Sequence, residues 1–465
     1  MPARRSSNEM KEHRSASIAN ERSVNSIPRV CIVTPVFNGS AFIDQTLHSL
    51  ISQAGMFRLR IHVQDGGSTD GTVDKIRKWK ERVERSDFPS VCQEIRFTWD
   101  SALDGGMYDA LNHGFTAVDV QDADILGWLN SDDVLAPGAV QFACERMSQW
   151  PEVSWIVSRP CESNAAGVMR KIHAPQVYNQ KLLHAGLHDC RHLAFVMQEG
   201  SFWRGWLWKQ SGGLRSDLRL AGDYDLWRRF AALAVPHSCE QVLALHRRHS
   251  TQLSAQADKY FLEIDREVFS AAERMHRDDI WAEYQRWVAD PQRDSRYAGN
   301  VILYNPGPDT WTIEHRQPPV ELGPTLFVRP DGTGHRMVTC QLGQGFTSPE
   351  GPYSNLCLPA GIRFAPPGPS VVQIDAPARG SYWLLTHYRH FTPGLRLTIS
   401  AGGQDRHRLE VPPTFHERDG LMVFQIMLQA GRNDVGYSVE MPLNGSGPGL
   451  LVIDVEALPV TAVFS

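Results

Sequence analysis

The stretch Ile61-His62-Val63-Gln64-Asp65-Gly66-Gly67-Ser68-Thr69-Asp70-Gly71-Thr72-Val73 passes from strand to helix within a dozen residues. Ile61–Gln64 alternates the β-branched Ile61 and Val63 with polar His62 and Gln64 and reads as a strand. Gly, Ser and Asp follow, the chemistry of a tight loop. From Thr72 to Arg85, Val73, Ile76, Trp79 and Val83 recur at helical spacing, and the intervening Lys, Arg and Glu make a solvated face. A strand that enters a helix through a small, acidic loop is half of a β-α-β unit.

The same grammar extends outward. Val30–Thr34 reads as a strand ended by Pro35, and Phe42, Ile43, Leu47, Leu50 and Ile51 mark the helix after it. Ile95–Phe97 predicts a short third strand, Met107–Val118 a helix, and Ile125–Leu129 a fourth strand. The helix Pro137–Trp150 opens on a proline, whose missing N–H does no harm in a first turn. Strand and helix in alternation predict an α/β domain with a mainly parallel sheet. Residues 151–295 are less regular, with helical patterns at 223–233 and from Ala257 to Val288. From about Tyr297 the chain is rich in Gly and Pro. Short strand-like runs at 326–328, 371–374, 382–385, 395–399, 422–426 and 450–453 predict an all-β sandwich. The domain reading is a disordered polar leader at 1–27, an α/β domain at 28–295 and a β-sandwich at 296–465. The tail Leu450–Phe464, interrupted by Asp454, Glu456 and Pro459, reads as a strand pair.

Composition narrows the function classes. A 465-residue chain suggests about two or three domains. Its net charge of −5 argues against a nucleic-acid binder. No apolar run reaches the ~18 residues of a membrane span, and the first 27 residues lack the apolar core of a secretion signal. The eight cysteines form no C-x-x-C pair, which speaks against a zinc ribbon or redox motif and for a reduced, cytoplasmic setting.

Ligands of open α/β sheets bind beyond the carboxyl ends of the strands. Strand ends here carry Thr34-Pro35-Val36-Phe37-Asn38-Gly39, Gln64 to Thr72, and Asn130-Ser131-Asp132-Asp133. Glycines let the backbone approach a flat ring or a phosphate, and Asp65 can accept from a base N–H. Adjacent Asp132 and Asp133 repel unless a cation lies beside them, and a divalent ion bridging a diphosphate would serve. Singly, each loop is also ordinary turn or cap chemistry; together at the ends of one sheet they point to a nucleotide-diphosphate crevice.

These segments resemble family 2 glycosyltransferases of the GT-A fold, in the bacterial polysaccharide-assembly branch, over about residues 28–255. The likeness is carried by the first two loops, by Asp104-Gly105-Gly106-Met107-Tyr108-Asp109-Ala110-Leu111-Asn112, by Trp128-Leu129-Asn130-Ser131-Asp132-Asp133, and by Gly222-Asp223-Tyr224-Asp225-Leu226-Trp227. The resemblance implies that Thr34 and Pro35 line the base pocket, Asp65 binds the base edge, Asp104 lies near the nucleotide and Asp132 touches the ribose. Asp133 would ligate Mn²⁺ or Mg²⁺ as the last acid of a D-x-D element, whose first acid is here replaced by Asn130 or Ser131. His249 would approach the metal or diphosphate, and Asp223 would be the catalytic base, with Asp225 structural. As a residue in a helix N-terminus, Asp223 should have a lowered pKa. The loop Gln198–Arg204 resembles an acceptor-side loop, in which Trp203 and Trp206 either stack on sugars or pack.

The implied activity is inverting, metal-dependent transfer of a sugar from a UDP- or GDP-sugar to a carbohydrate or lipid-linked glycan, in extracellular or surface polysaccharide synthesis. The implied setting is cytoplasmic, at the inner face of the plasma membrane, with peripheral membrane association and a homodimer both open. Outside the resemblance, Trp311, Tyr353, Tyr382, Trp383, Tyr388 and Phe391 suit either sugar binding or the core of a structural or dimerising sandwich; His387 and His390 lack a third metal ligand. Competing readings are a non-catalytic carbohydrate-binding or assembly protein on a transferase fold and a nucleotidyltransferase. The three acids Asp65, Asp133 and Asp223 oppose the first. The absence of a glycine-rich basic loop at Pro35–Asn38 opposes the second.

Overall fold

The computed structural model describes residues 27–85, 92–163, 169–173, 176–249, 257–305, 310–318, 326–327, 339–346, 363–376, 379–389, 395–411, 420–441 and 450–459. The leader read at 1–27 lies almost wholly outside the described residues, as do Tyr353, His390 and Phe391.

The first unit runs β1 (Arg29–Val36), α1 (Ile43–Ile51), β2 (Gly55–Asp65), α2 (Thr72–Glu84), β3 (Cys92–Ser101), α3 (Met107–Ala117), β4 (Ile125–Trp128), β5 (Val134–Leu135) and α4 (Ala139–Gln149). It continues through β6 (Trp155–Val157), β7 (Cys161–Ser163), β8 (Met169–Ile172), α5 (Gln180–His184), β9 (Phe202–Arg204), α6 (Gly205–Ser211), α7 (Gly222–Leu233), β10 (His237–Cys239) and β11 (Ala244–Arg247). Then come α8 (Ala257–Glu263), a π-helical turn at Ile264–Val268, α9 (Ala271–Ala289), β12 (Gly299–Asn305) and β13 (Thr310–Arg316). The main sheet has the order β13-β12-β10-β6-β9-β4-β1-β2-β3. β3, β2, β1 and β4 are parallel, and β9 runs antiparallel between β4 and β6. Strand order reverses at β1, so the crevice at the carboxyl ends of β1, β2 and β4 is a topological switch point. The expected α/β domain with a mainly parallel sheet is present.

Two differences concern boundaries. β3 extends over Cys92–Ser101, well past the apolar run Ile95–Phe97, because ladder pairing to β2 carries residues that its own hydrophobicity does not mark. β12 and β13 lie beyond residue 295, yet β12 pairs with β10 and β13 with β12, so that β13 forms the edge of the first sheet. Their anchor is Trp311, which packs edge-on to Phe142 and under the Arg146 guanidinium of α4.

The later strands form two antiparallel sheets. One contains β15 (Thr339–Leu342), β17 (Gly368–Ala376), β19 (Arg396–Ala401), β20 (Gln404–Glu410) and β22 (Gly431–Glu440); the other contains β16 (Arg363–Ala365), β18 (Gly380–Arg389), β21 (Gly420–Leu428) and β23 (Leu450–Pro459). A separate strand, β14 (Leu326–Phe327), pairs with β8 of the first unit. Inward residues alternate along β17, β19 and β22 and fill one core between the sheets. Tyr382 and Tyr388 are in that core, which removes them as sugar-stacking residues. Leu450–Pro459 is a single strand, not a pair: Asp454 and Glu456 sit in register with His387 and Leu385 of β18.

Beneath the crevice, Trp128, Trp155, Trp203 and Trp227 make one buried cluster. Trp227 stacks on Trp128 with centroids 5.5 Å apart and on Trp155 at 5.3 Å, and Trp203 meets Trp128 edge-on. The cluster joins β4, β9 and α7, each of which borders a loop or turn with an acidic side chain described below. Trp203 is therefore core, not a sugar platform. Trp227→Ala should cost about 3–5 kcal/mol, read as a lowered urea midpoint, with Trp227→Phe losing far less.

Candidate active site

At the end of β2, Asp65 is fully buried. Its Oδ2 accepts from the Gly67 N–H at 3.0 Å, the Ser68 N–H at 2.9 Å and the Ser101 hydroxyl at 2.7 Å. The turn needs glycine at 67, where φ is +86°. Oδ1 is buried with no hydrogen-bond partner among the described residues. One oxygen thus builds the loop, and the other retains accepting capacity that burial makes costly to leave unused. Thr34, at the end of β1, is also buried with an unpartnered hydroxyl, and Pro35 is buried in register with Gln64. Asp104 accepts from the Gly106 N–H at 2.8 Å, and a Cβ on Gly66 would lie 3.0 Å from its Oδ2, so Asp104 closes over the Asp65 loop. Asp70 is occupied structurally: it accepts from the Ser40 N–H at 3.0 Å and the Thr72 N–H at 3.1 Å, tying the first two loops together.

After β4, the two aspartates part. Asp132 is half-exposed, and its Oδ2 meets His249 Nε2 at 2.8 Å. Asp133 is buried; its Oδ1 accepts from the Arg247 N–H at 2.8 Å and its Oδ2 has no hydrogen-bond partner among the described residues. The histidine brought to Asp133 is His246, not His249. His246 Nδ1 lies 3.4 Å from Asp133 Oδ1 and 3.2 Å from Glu199 Oε1. Alternation along β11 accounts for the exchange, because His246 faces the acids while the Arg247 side chain turns to the Asp132 carbonyl, 2.6 Å from its Nε. His249 lies beyond the strand, against the Phe42 ring.

Asp133, Glu199 and His246 are all buried, and one ligand atom from each falls within 4.8 Å of the others. Burial, then the charge of Glu199, pushes the Asp133 carboxyl up to about 8. Burial alone would lower His246, but Glu199 and Asp133 outweigh it and raise the imidazole to about 11. Burial works against the Glu199 carboxylate, yet His246 holds it below its ordinary value. Without an added cation, the imidazolium is the counter-ion of the Glu199 carboxylate, and Asp133 keeps its proton at neutral pH. A divalent ion would do the same and would also engage Asp133 Oδ2 and Glu199 Oε2, the buried oxygens without hydrogen-bond partners among the described residues. A donor set of two carboxylates and one imidazole fits Mn²⁺ or Mg²⁺.

Asp223 is the second residue of α7, with its Oδ1 2.8 Å from the Tyr224 N–H and 3.4 Å from the Tyr108 hydroxyl. Gly222 before it lies flat on the Tyr108 ring, where a Cβ would come within 2.6 Å of ring carbons. Gly222→Ala should therefore displace Asp223 and lower turnover by about 10-fold or more, measured beside an unchanged circular-dichroism spectrum. Burial raises the Asp223 carboxyl to about 7 against the Tyr224 N–H, and the charge of Glu199 adds to the rise. The lowering expected from the helix N-terminus is overridden by desolvation. Asp225 is buried and paired with Arg229, 2.7 Å away, a structural ion pair.

Sequence reasoning missed Glu199 and His246. A signal existed for each: a carboxylate directly ahead of the apolar strand at Phe202, and a His-Arg pair closing an apolar run, are both expensive to bury without a partner.

Residues 31–206 match the model of glycosyl transferase family 2. An uncharacterized glycosyltransferase of Mycobacterium tuberculosis is 27% identical over 221 residues, which is 47% of this chain and 75% of that protein. Among solved structures, S. aureus TarS 1–349 in complex with UDP-GlcNAc is similar at 16% identity and a TM-score of 0.39, over 55% of this chain and 71% of that one. The mannosyltransferase PcManGT from Pyrobaculum calidifontis, in complex with GDP-Man and Mn²⁺, gives 17% identity and a TM-score of 0.38, over 57% and 72%. By sequence, residues 31–206 of this chain are similar to glycosyl transferase family 2.

Proposed function

We propose that the chain is an inverting glycosyltransferase that moves a sugar from a UDP- or GDP-sugar to a hydroxyl of a carbohydrate or lipid-linked glycan. The observation that carries this reading is the division of labour among the acids at one edge of the sheet. Asp65 retains one unpartnered oxygen in a glycine loop, Asp133 and Glu199 retain buried oxygens beside His246, and Asp223 is held near a neutral pKa.

In this reading, Thr34, Pro35 and Asp65 take the base, Asp104 closes over the nucleotide loop, and Asp132 faces the ribose with His249 orienting it. Asp133, Glu199 and His246 would hold Mn²⁺ or Mg²⁺, which when bound offsets charge on the leaving diphosphate. Asp223 accepts the proton of the acceptor hydroxyl as that oxygen attacks the anomeric carbon from the face opposite the leaving group. A pKa near 7 suits a general base at neutral pH. Turnover should rise with pH through about 7, as Asp223 loses its proton.

The test is a panel of UDP- and GDP-sugars with Mn²⁺, read by thermal shift and by nucleoside diphosphate release. A donor that stabilises the protein and is turned over supports the reading. Stabilisation without turnover, for any acceptor sugar supplied, would favour a carbohydrate-assembly protein on a transferase fold.

Polysaccharide synthesis at the cytoplasmic face of the membrane is the finer proposal, supported by the family resemblance. Among the described residues no helix is long and apolar enough to cross a membrane. The later β sheets form a second core of their own, and a carbohydrate-binding or dimerising role for them is a further part of the proposal.

A further inference from the structure

Helix α7 begins without a side-chain cap: Ala221 precedes it and has no oxygen to offer. The three residues ahead of it are instead anchored from elsewhere in the chain. The Glu263 carboxylate, at the end of α8, accepts from the N–H groups of Arg219, Leu220 and Ala221, each at 2.7 Å. Three consecutive backbone amides on one carboxylate is an unusually complete anchor, and hydrogen bonds to a charged acceptor are roughly twice as strong as neutral ones. The Leu220 carbonyl is held in turn by the Tyr108 hydroxyl at 2.8 Å, and the Arg219 side chain reaches the Gly105 carbonyl of the loop beside Asp104.

The anchor itself is fixed. The chain after Glu263 makes a π-helical turn, a feature frequent at functional sites. Arg191 grips Asp265 of that turn with bonds of 2.7 and 2.8 Å. Arg215 donates to the Glu267 carbonyl at 2.9 Å, and Ile264 and Val268 are buried. Tyr260, three residues before Glu263, directs a buried hydroxyl without a partner among the described residues to the same region, where burial, and then the charge of Asp223, keeps it protonated.

We propose that Glu263 is a positioning residue for Asp223: it holds the 219–221 loop so that the second residue of α7 presents its carboxylate to the acceptor. The proposal rests on the assignment of Asp223 as the base. It adds α8, a helix outside residues 31–206, to the catalytic unit.

The experiment compares Glu263→Gln, Asp223→Asn and the double variant. It reads release of UDP from UDP-N-acetylglucosamine and of GDP from GDP-mannose with Mn²⁺, together with donor affinity and amide exchange of the peptide spanning 215–224. Glu263→Gln keeps the size of the side chain but loses its charge and turns a donor toward amides. Turnover should fall about 10- to 100-fold, as for a small misplacement of a reacting group. Donor affinity should stay within about twofold, and exchange at 219–221 should quicken. In the Asp223→Asn background, Glu263→Gln should cost almost nothing more, because residues that act as one unit are non-additive. Losses that multiply in the double variant, or unchanged exchange at 219–221, would overturn the positioning role. Full turnover in Asp223→Asn alone would instead remove the base assignment, a separable result.

Discussion

Asp223→Asn should fold, bind donor with unchanged affinity and turn over about 10²–10⁴ times more slowly, the usual loss for a general base. The substitution is conservative here for a structural reason. Glu263 anchors the three residues ahead of the helix independently of Asp223, and the bond that Asp223 accepts from the Tyr224 N–H in the first turn can be kept by the Asn carbonyl oxygen. The neutral side chain also relieves a carboxylate whose pKa burial has raised to about 7, so thermal stability should not fall. The acid limb of the pH profile near 7 should vanish with the carboxylate. Asp225→Asn is the control. It weakens the buried pair with Arg229, so it should lower the melting temperature and leave the pH limb in place. Transfer rates and melting curves of both variants decide the matter. Equal rate losses in the two, or a retained acid limb in Asp223→Asn, would reduce Asp223 to a structural residue.

Asp133→Ala should abolish turnover along with the stabilisation conferred by Mn²⁺. A ligand at a hundred times its Kd stabilises by about 2.7 kcal/mol, enough to read by thermal shift. Removing Asp133 takes one carboxylate from the buried set and leaves Glu199 and His246 as a neutralised pair. The paired histidine variants sharpen the test. His246→Ala should lose the Mn²⁺ shift as Asp133→Ala does. His249→Ala should keep it, because that ring meets Asp132 and not the Asp133 cluster. Normal turnover of Asp133→Ala with metal chelated, or a Mn²⁺ shift lost only in His249→Ala, would put the metal elsewhere.

The local sequence determined the parallel α/β order and the loops that end its strands. Each such element is written in short-range terms: β-branched runs ending in Pro35 or in Asp65-Gly66-Gly67, and helical spacing after them. Side-chain period and turn chemistry depend on neighbours a few residues away, so they are legible without the fold. The composition break near Tyr297 marks a change of turn chemistry, but which sheet a strand joins is a pairing decision, and β12 paired with β10 and β13 with β12.

Only the tertiary structure decided who stands beside whom. The sequence offers His249 as the partner of Asp133; the fold instead brings His246, which faces the acids from β11, and leaves His249 beyond the strand. Glu199 and Glu263 become meaningful only when packing places one against His246 and the other against the amides of Arg219 to Ala221. The pKa of Asp223 followed the same rule. The helix N-terminus, visible in sequence, argues for a lowered value. Desolvation, which exists only once Tyr108 and its surroundings close around the carboxyl, is the larger effect and sets it near 7.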